Sequence, residues 1–150
     1  MTVPAALAPA EASPADLAAQ AWHAMRALMH DRYDRRKQVC EALGMSFIRA
    51  KALRRIAQGP VTMRELAAAL YTDRPYTTVV VDDLERRGLV TRTVSSGDRR
   101  SKIVAITPSG HEQAQLAERI LDDPPEPMRE LPPGDLASLV RILTALQEES

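Results

Sequence analysis

The segment VTMREL, which starts at Val61, constrains the local fold more than any other part of this 150-residue chain. Thr62 and Glu65 have the spacing of a capping box, in which each side chain accepts a hydrogen bond from the backbone N–H of the other residue. Val61 and Leu66 flank the pair and are placed to pack together as a hydrophobic staple. The sequence therefore predicts a short helix that begins after Thr62 and runs to about Leu70.

A second helix is predicted after a turn of about four residues. Asp73 is placed to cap it, and Pro75 fits its first turn, where the N–H that proline lacks would be unpaired in any case. Gly88 is expected to end this helix. Its predicted inward face consists of the residues that recur at helical spacing, namely Thr77, Val80, Val81 and Leu84. Two helices joined by such a turn are typical of a helix-turn-helix.

Two runs rich in β-branched residues follow, LVTRTV at residues 89–94 and KIVAI at residues 102–106. The loop SSGDRRS joins them, so the pair is predicted to form a β-hairpin with a longer loop. The loop carries Arg99 and Arg100 beside Asp98 and lies far from any Cys or His cluster that could form an active site. A basic hairpin tip of this kind points to a binding role.

The N-terminal part of the chain is predicted to be helical after an Ala- and Pro-rich start. Residues 1–14 are expected to form a disordered tail outside a single domain of residues 15–150. Residues 15–43 lack interior Gly and Pro and are predicted to form one continuous helix that ends at Gly44. Ser46 is predicted to cap the next helix.

The C-terminal part is also predicted to be helical. The Thr-Pro pair at residues 107–108 has the cap-then-proline pattern of a helix start, and a last helix is predicted over about residues 134–147. The fold class is mainly α with a small β-hairpin. It corresponds to a winged helix-turn-helix at residues 46–107 between helical extensions at residues 15–45 and 108–150.

The zero net charge of the chain hides an asymmetry. Residues 15–107 carry 17 Lys and Arg against 10 Asp and Glu, whereas residues 108–150 carry 3 against 9. Most of the basic side chains are arginine, whose planar fork suits phosphate groups and guanine edges. An ordinary solvated surface explains the charge equally well, so charge alone only permits a nucleic-acid partner.

Composition excludes several other classes of protein. No apolar run approaches the roughly 18 residues of a transmembrane helix, and the N-terminus lacks the basic residues that precede the apolar part of a signal peptide. Cys40 is the only cysteine, which excludes an intrachain disulfide. We therefore expect a cytoplasmic protein without a membrane partner.

Three motifs occur in the order and spacing of a known family. They are LERRGLV at residues 84–90, the Asp98-x-Arg100 pair in the hairpin loop, and TPSG at residues 107–110. With the flanking helices, the chain resembles the MarR family of winged helix-turn-helix transcriptional regulators over about residues 15–148. The resemblance implies a sequence-specific DNA-binding regulator, a repressor released by a small aromatic or amphipathic ligand. The sequence identifies no ligand-contacting residue.

The helix that starts after Asp73 is predicted to read DNA. A major groove admits one helix, which reads bases with the outward side chains near its N-terminus. The predicted DNA contacts on this helix are Arg74, Pro75, Tyr76, Thr77, Thr78 and Val79. Thr77 belongs both to this set and to the inward face. Asp83 would repel phosphate if it faced the groove, so the second half of the helix is expected to lie away from DNA.

The hairpin, which forms the wing of the winged helix-turn-helix, is predicted to reach the minor groove, whose enhanced negative potential attracts arginine. The predicted contacts are Ser96, Arg99, Arg100 and Lys102. The resemblance implies that Arg100 pairs with Asp82 on the recognition helix, which would tie the wing to that helix and leave Arg99 as the minor-groove residue. The alternative is a merely solvated loop.

The helical extensions have more apolar surface than a small winged helix can cover, so a homodimer on a pseudo-palindromic operator is predicted. The predicted dimerisation residues are Leu17, Leu28, Leu136, Leu139, Val140, Leu143 and Leu146.

No cofactor, metal or catalytic site is predicted. His23 and His30 with Asp34 lack the usual third metal-ligating side chain, and Cys40 is interpreted as an inert thiol rather than a redox sensor. No Ser/His/Asp set, phosphate-binding loop or clustered carboxylates support catalysis, so the chain is not predicted to be an enzyme. The alternative function is a winged helix that binds proteins and not DNA.

Overall fold

The computed structural model describes residues 12–94, 97 and 102–148. The N-terminal half is helical: α1 spans Pro14–Arg26 and continues as a π-helical segment, Ala27–Arg32, before α2, Arg36–Leu43, and α3, Phe47–Ala57. The central part contains β1, Val61–Thr62; α4, Met63–Ala69; α5, Arg74–Arg86; β2, Val90–Val94; and β3, Lys102–Ile106. The C-terminal part contains α6, Pro108–Leu121; α7, Glu126–Arg129; and α8, Pro133–Glu148.

The prediction of one continuous helix over residues 15–43 is wrong. The chain leaves the helix at Tyr33 (φ −124°, ψ 46°) and re-enters it at Arg36. Asp34 explains the break, since its carboxylate accepts hydrogen bonds from the Arg36 backbone N–H (3.0 Å) and guanidinium (2.9 and 2.8 Å). Such local side-chain bonds compete with the helical ladder. The side-chain hydrogen bond from Arg36 lowers the pKa of Asp34 to about 2.

The capping box is confirmed. Thr62 Oγ1 accepts from the Glu65 N–H at 3.1 Å, and Glu65 Oε2 accepts from the Thr62 N–H at 3.1 Å. Val61 and Leu66, the predicted staple, are both buried in the core. Helix α4 therefore begins where the sequence pattern indicates.

The sheet has one strand more than the predicted hairpin. β2 and β3 pair antiparallel as expected, and β1 adds to the other edge of β3, with Val61 opposite Val104. The two-residue β1 is too short to show an alternating pattern, and its partner lies far along the chain. The short α7 inside the Pro-rich break was likewise not predicted.

The core is enclosed by the five helices from α2 to α6 and by the three-stranded sheet. Its largest fully buried side chains include Leu53, Ile56, Leu66 and Leu84, each of which stabilises the fold by about 1.5–3 kcal/mol. By contrast, α1 and α8 contain no buried residue. The fold is thus a packed central lobe with terminal helices that are open to solvent. No helix among the described residues is long and apolar enough to cross a membrane.

Candidate DNA interface

Helix α5 presents two distinct faces. Asp73 caps it, with Oδ1 accepting from the Tyr76 N–H at 2.7 Å, and Pro75 lies in the first turn as predicted. The predicted inward face is confirmed, because the four residues are completely buried: Thr77, Val80, Val81 and Leu84. Burial of this stripe fixes which side of the helix faces solvent.

The outward face consists of Arg74, Pro75, Tyr76, Thr78 and Val79, all of which are exposed. Val79 is 52% exposed and Tyr76 is 41% exposed. The Thr78 hydroxyl donates to the Arg74 carbonyl at 3.0 Å, and its lone pairs remain open to a donor. Within residues 12–94, 97 and 102–148, the Arg74 guanidinium has no ion pair or hydrogen bond.

Thr77 does not belong to the outward face. Its side chain is completely buried, and its hydroxyl donates to the Asp73 carbonyl at 2.8 Å. The side chain is therefore part of the core, which corrects its assignment as a DNA contact.

Asp83 forms the centre of an arginine cluster. Its side chain is only 11% exposed, and its carboxylate accepts from Arg49 Nε on α3 (2.8 Å), from Arg87 Nε (2.9 Å) and from Arg86. Arg87 also donates to the Gly44 carbonyl at 3.0 Å. Burial opposes ionisation, but the hydrogen bonds from the three guanidinium groups outweigh it and hold the pKa of Asp83 below its ordinary value.

This cluster ties the C-terminal end of α5 to α3 and to the turn after α2. The Asp83 carboxylate is directed at these arginines and is largely withdrawn from solvent, so little of its charge is presented at the surface of α5.

A second ion-pair cluster joins β2 to α5. Arg92 Nη2 lies 2.6 Å from Asp82 Oδ1 and 3.0 Å from Glu85 Oε1, and the Arg92 backbone N–H donates to Glu85 Oε2 at 3.2 Å. The side-chain hydrogen bond from Arg92 lowers the pKa of Glu85, and the hydrogen bond to Glu85 raises the pKa of Arg92. Sequence reasoning missed Arg92. The available signal was the i, i+3 spacing of Asp82 and Glu85, which places two acids on one side of α5.

Known proteins share part of this sequence and the overall fold. Residues 43–101 match the sequence model of the MarR family. The structure is similar to BldR, a transcriptional regulator from Sulfolobus solfataricus, with 25% identity, coverage of 89% of this chain and 99% of BldR, and a TM-score of 0.64. Residues 43–101 therefore resemble the MarR family in sequence, and the fold as a whole is similar to that of BldR. The predicted fold class is therefore confirmed.

Two further structures of similar fold contain a bound molecule. MepR from S. aureus, in a complex with DNA, has 24% identity, a TM-score of 0.58 and coverage of 83% of this chain and 98% of MepR. NadR, in complex with 4-hydroxyphenylacetate, has 20% identity, a TM-score of 0.60 and coverage of 97% and 99%. A search of curated proteins found no match to the chain.

The tip of the wing, the loop between β2 and β3, is only partly described. Ser96, Arg99 and Arg100 lie outside the described residues, so their DNA contacts and the Asp82–Arg100 pair stay predictions. Lys102 is exposed at the start of β3, opposite Val94.

The terminal helices leave apolar side chains in solvent. Leu17 and Leu28 are each 44% exposed, and Val140 and Leu146 are 64% and 60% exposed. Leu136, Leu139 and Leu143 are partly exposed along the same face of α8.

A cavity lies between α2, the end of α5 and α6. Its volume is about 470 Å³, and its lining combines apolar side chains such as Leu43 and Met45 with Arg87 and Glu112. Among the described residues, no group of three or more His, Cys, Asp or Glu side chains is placed to hold a metal ion.

Proposed function

We propose that the protein is a homodimeric, sequence-specific DNA-binding regulator that acts as a repressor and is released by a small-molecule ligand. The observation that carries the proposal is a difference in ion pairing between the arginines at the two ends of α5. Arginines at its C-terminal end, Arg86 and Arg87, are paired with Asp83, whereas Arg74 at its N-terminal end is exposed and has no acidic partner in the described chain. The N-terminal end is the part of a recognition helix that reads bases.

The recognition contacts on α5 are Arg74, Pro75, Tyr76, Thr78 and Val79. Arg74 forks onto a guanine edge or a phosphate, the Thr78 hydroxyl and Tyr76 hydroxyl bind polar DNA groups, and Val79 meets a thymine methyl group. On the wing, Ser96, Arg99, Arg100 and Lys102 follow the minor groove. The described anchor of the wing, Arg92, supports this arrangement because it holds β2 against α5.

The exposed apolar faces of α1 and α8 support a homodimer. A second copy would cover these faces, and two-fold symmetry would present two recognition helices to half-sites about one helical turn apart. The predicted interface residues are Leu17, Leu28, Leu136, Leu139, Val140, Leu143 and Leu146.

The cavity beside α2, α5 and α6 supports ligand control. It has the size of a small-molecule site, and its lining combines four apolar with four polar side chains. Arg87 belongs both to this lining and to the Asp83 cluster, so an aromatic or amphipathic occupant would act on the end of α5. Release requires that the ligand bind one arrangement of the lobe more tightly than the other.

Binding to duplex DNA over a range of salt concentrations tests the proposal. We expect Arg74→Ala and Arg99→Ala each to weaken operator binding by about 1–3 kcal/mol and to reduce the salt slope by about one, since each loses a DNA contact. The operator is first obtained by selection of bound genomic fragments. Arg119→Ala on α6 is the matched control and should bind as the wild type does.

Two outcomes contradict the proposal. Selection that returns no pseudo-palindromic sequence argues against a dimeric reader. Wild-type protein that binds no duplex even at low salt favours the alternative of a protein-interaction module.

A further inference from the structure

The turn between α4 and α5 contains a tyrosine in a backbone conformation that favours glycine. Tyr71 has φ 53° and is the only non-glycine residue with positive φ in the described part of the chain. It ends α4 in a Schellman motif: the Tyr71 N–H donates to the Ala68 carbonyl (3.2 Å) and the Thr72 N–H to the Ala67 carbonyl (3.1 Å). Any side chain with a Cβ is disfavoured here, so the backbone gains nothing from tyrosine.

The core gains nothing from it either. Tyr71 is 92% exposed, the highest value among the large exposed hydrophobic side chains of the described chain. Its ring contacts the ammonium group of Lys51 on α3, with Nζ 5.3 Å from the ring centroid. A cation–π contact at an exposed site is weak and at best offsets the backbone cost. The folded chain alone therefore gives no reason for tyrosine at this position.

Lys51 differs from two of the three arginines of α3, whereas Arg55 likewise has no acidic partner among the described residues. Arg49 is paired with Asp83, and Arg54 is paired with Glu118 at 2.7 Å. Lys51 has no carboxylate partner in the part of the chain that the structure describes, and the tyrosine ring holds its ammonium group without neutralising it. The charge thus remains available to an anion.

Further unneutralised cations lie on the two helices that the turn joins. Arg64 on α4 and Arg74 at the start of α5 are exposed and, among the described residues, have no acidic partner. Tyr71 lies two residues before Asp73, which caps the end of α5 that the proposed function directs into the groove. Tyr71 is thus close in sequence to the helix end that the proposed function directs into the groove, and Lys51 lies against its ring.

We propose that Tyr71 and Lys51 together bind a DNA phosphate beside the recognition helix. The tyrosine hydroxyl donates to a phosphate oxygen, and the lysine ammonium group supplies the charge while the ring fixes its position. This inference rests on the proposed DNA-binding function. It extends the interface beyond α5 and the wing onto α3.

Substitutions that remove one group at a time test the pair, with binding to a random-sequence duplex measured over a range of salt concentrations. Lys51→Met keeps most of the stem and removes the charge, so we expect several-fold weaker binding and a salt slope smaller by about one. Tyr71→Phe keeps the ring and removes the hydroxyl, so binding should weaken several-fold with little change in slope. Lys37→Met on α2 is the matched control and should leave both unchanged.

Tyr71→Gly separates binding from folding. Glycine suits the left-handed backbone, so this variant should melt at or above the temperature of the wild type while it binds DNA several-fold more weakly. A lower melting temperature, or full affinity in Lys51→Met and Tyr71→Phe when the wild type binds DNA, overturns the phosphate site alone. Wild-type protein that does not bind duplex overturns the proposed function as well.

Discussion

Asp83 shows how much depends on one carboxylate in this protein. It is almost buried, and it holds guanidinium groups from α3 and from its own helix. Removing one partner of such a cluster leaves buried charge without compensation, which costs more than the loss of an exposed pair.

We predict that Asp83→Asn lowers the free energy of unfolding by about 1–3 kcal/mol at neutral pH, between the values for exposed and fully buried pairs. The pKa of Asp83 is lowered in the folded state. Its contribution is therefore complete above the unfolded pKa of about 3.9 and is lost as the pH falls through the folded pKa. Urea denaturation at neutral and acidic pH should show the difference between wild type and variant shrinking in acid.

Asp135→Asn is a suitable control, since Asp135 is exposed and forms no ion pair among the described residues. A stability difference for Asp83→Asn that stays constant down to acidic pH would contradict the proposed contribution of the cluster.

Sequence alone could place Asp83 on the recognition helix but could not say where its carboxylate points. Its partner Arg49 is 34 residues earlier in the chain, and only the packing of α3 against α5 brings the two together. Thr77 shows the reverse, because a local pattern was enough to place it. Helical spacing placed it on the inward face, and that local signal was the better guide to its position than its place in the first turns of a recognition helix.

At the scale of elements, Arg92 joins the wing to α5. It contacts two acids one helical turn apart, so β2 has a defined angle to the recognition helix. Removal of Asp82 takes a negative charge away from DNA, which by simple electrostatics would strengthen binding. If Asp82 ties the wing to the helix, its removal has the opposite effect, because a displaced wing loses its groove contacts.

We predict that Asp82→Ala and Arg92→Met each weaken operator binding and that the double variant loses less than the sum of the two. Such non-additivity is the signature of residues that act through one contact, and binding measurements on the four proteins of the cycle give it directly. Arg54→Met, which breaks the α3–α6 pair with Glu118, should leave DNA affinity unchanged. Tighter binding by Asp82→Ala together with simple additivity would show that the tie does not position the wing.

Element boundaries with local signals could be predicted, and those that depend on distant partners could not. The Thr62–Glu65 box and the Thr107 cap, which accepts from the Gly110 N–H at 3.0 Å, both occur where the sequence indicates. Strand β1 exists because Val61 meets Val104, a pairing that no local pattern contains. The break at Asp34 had a local cause, but the sequence has neither Gly nor Pro there to mark it.

At the scale of the whole molecule, the terminal helices and the packed lobe differ in how they are stabilised. The lobe has its own core, whereas α8 exposes Val140 and Leu146. A charge placed on that face should therefore disturb an interface without disturbing the lobe.

We predict that Val140→Asp converts the proposed homodimer to a monomer and abolishes tight operator binding, because a buried charge in an apolar interface is strongly unfavourable. Sedimentation gives the oligomeric state, and thermal melting should show the lobe still folded. Ser138→Asp adds the same charge on the other side of α8 and should stay dimeric. A Val140→Asp protein that remains dimeric and binds its operator would place the interface elsewhere.

The absence of any buried residue in α8 also has a consequence for the proposed control of genes. A lone helix of this length is marginal in water, so its ordering and the meeting of two chains are expected to be one event. While most of the protein is unassembled, the amount of the DNA-reading form then rises with the square of the chain concentration. A modest change in the rate of synthesis would become a steep change in promoter occupancy, and the cell would obtain a threshold response from abundance alone.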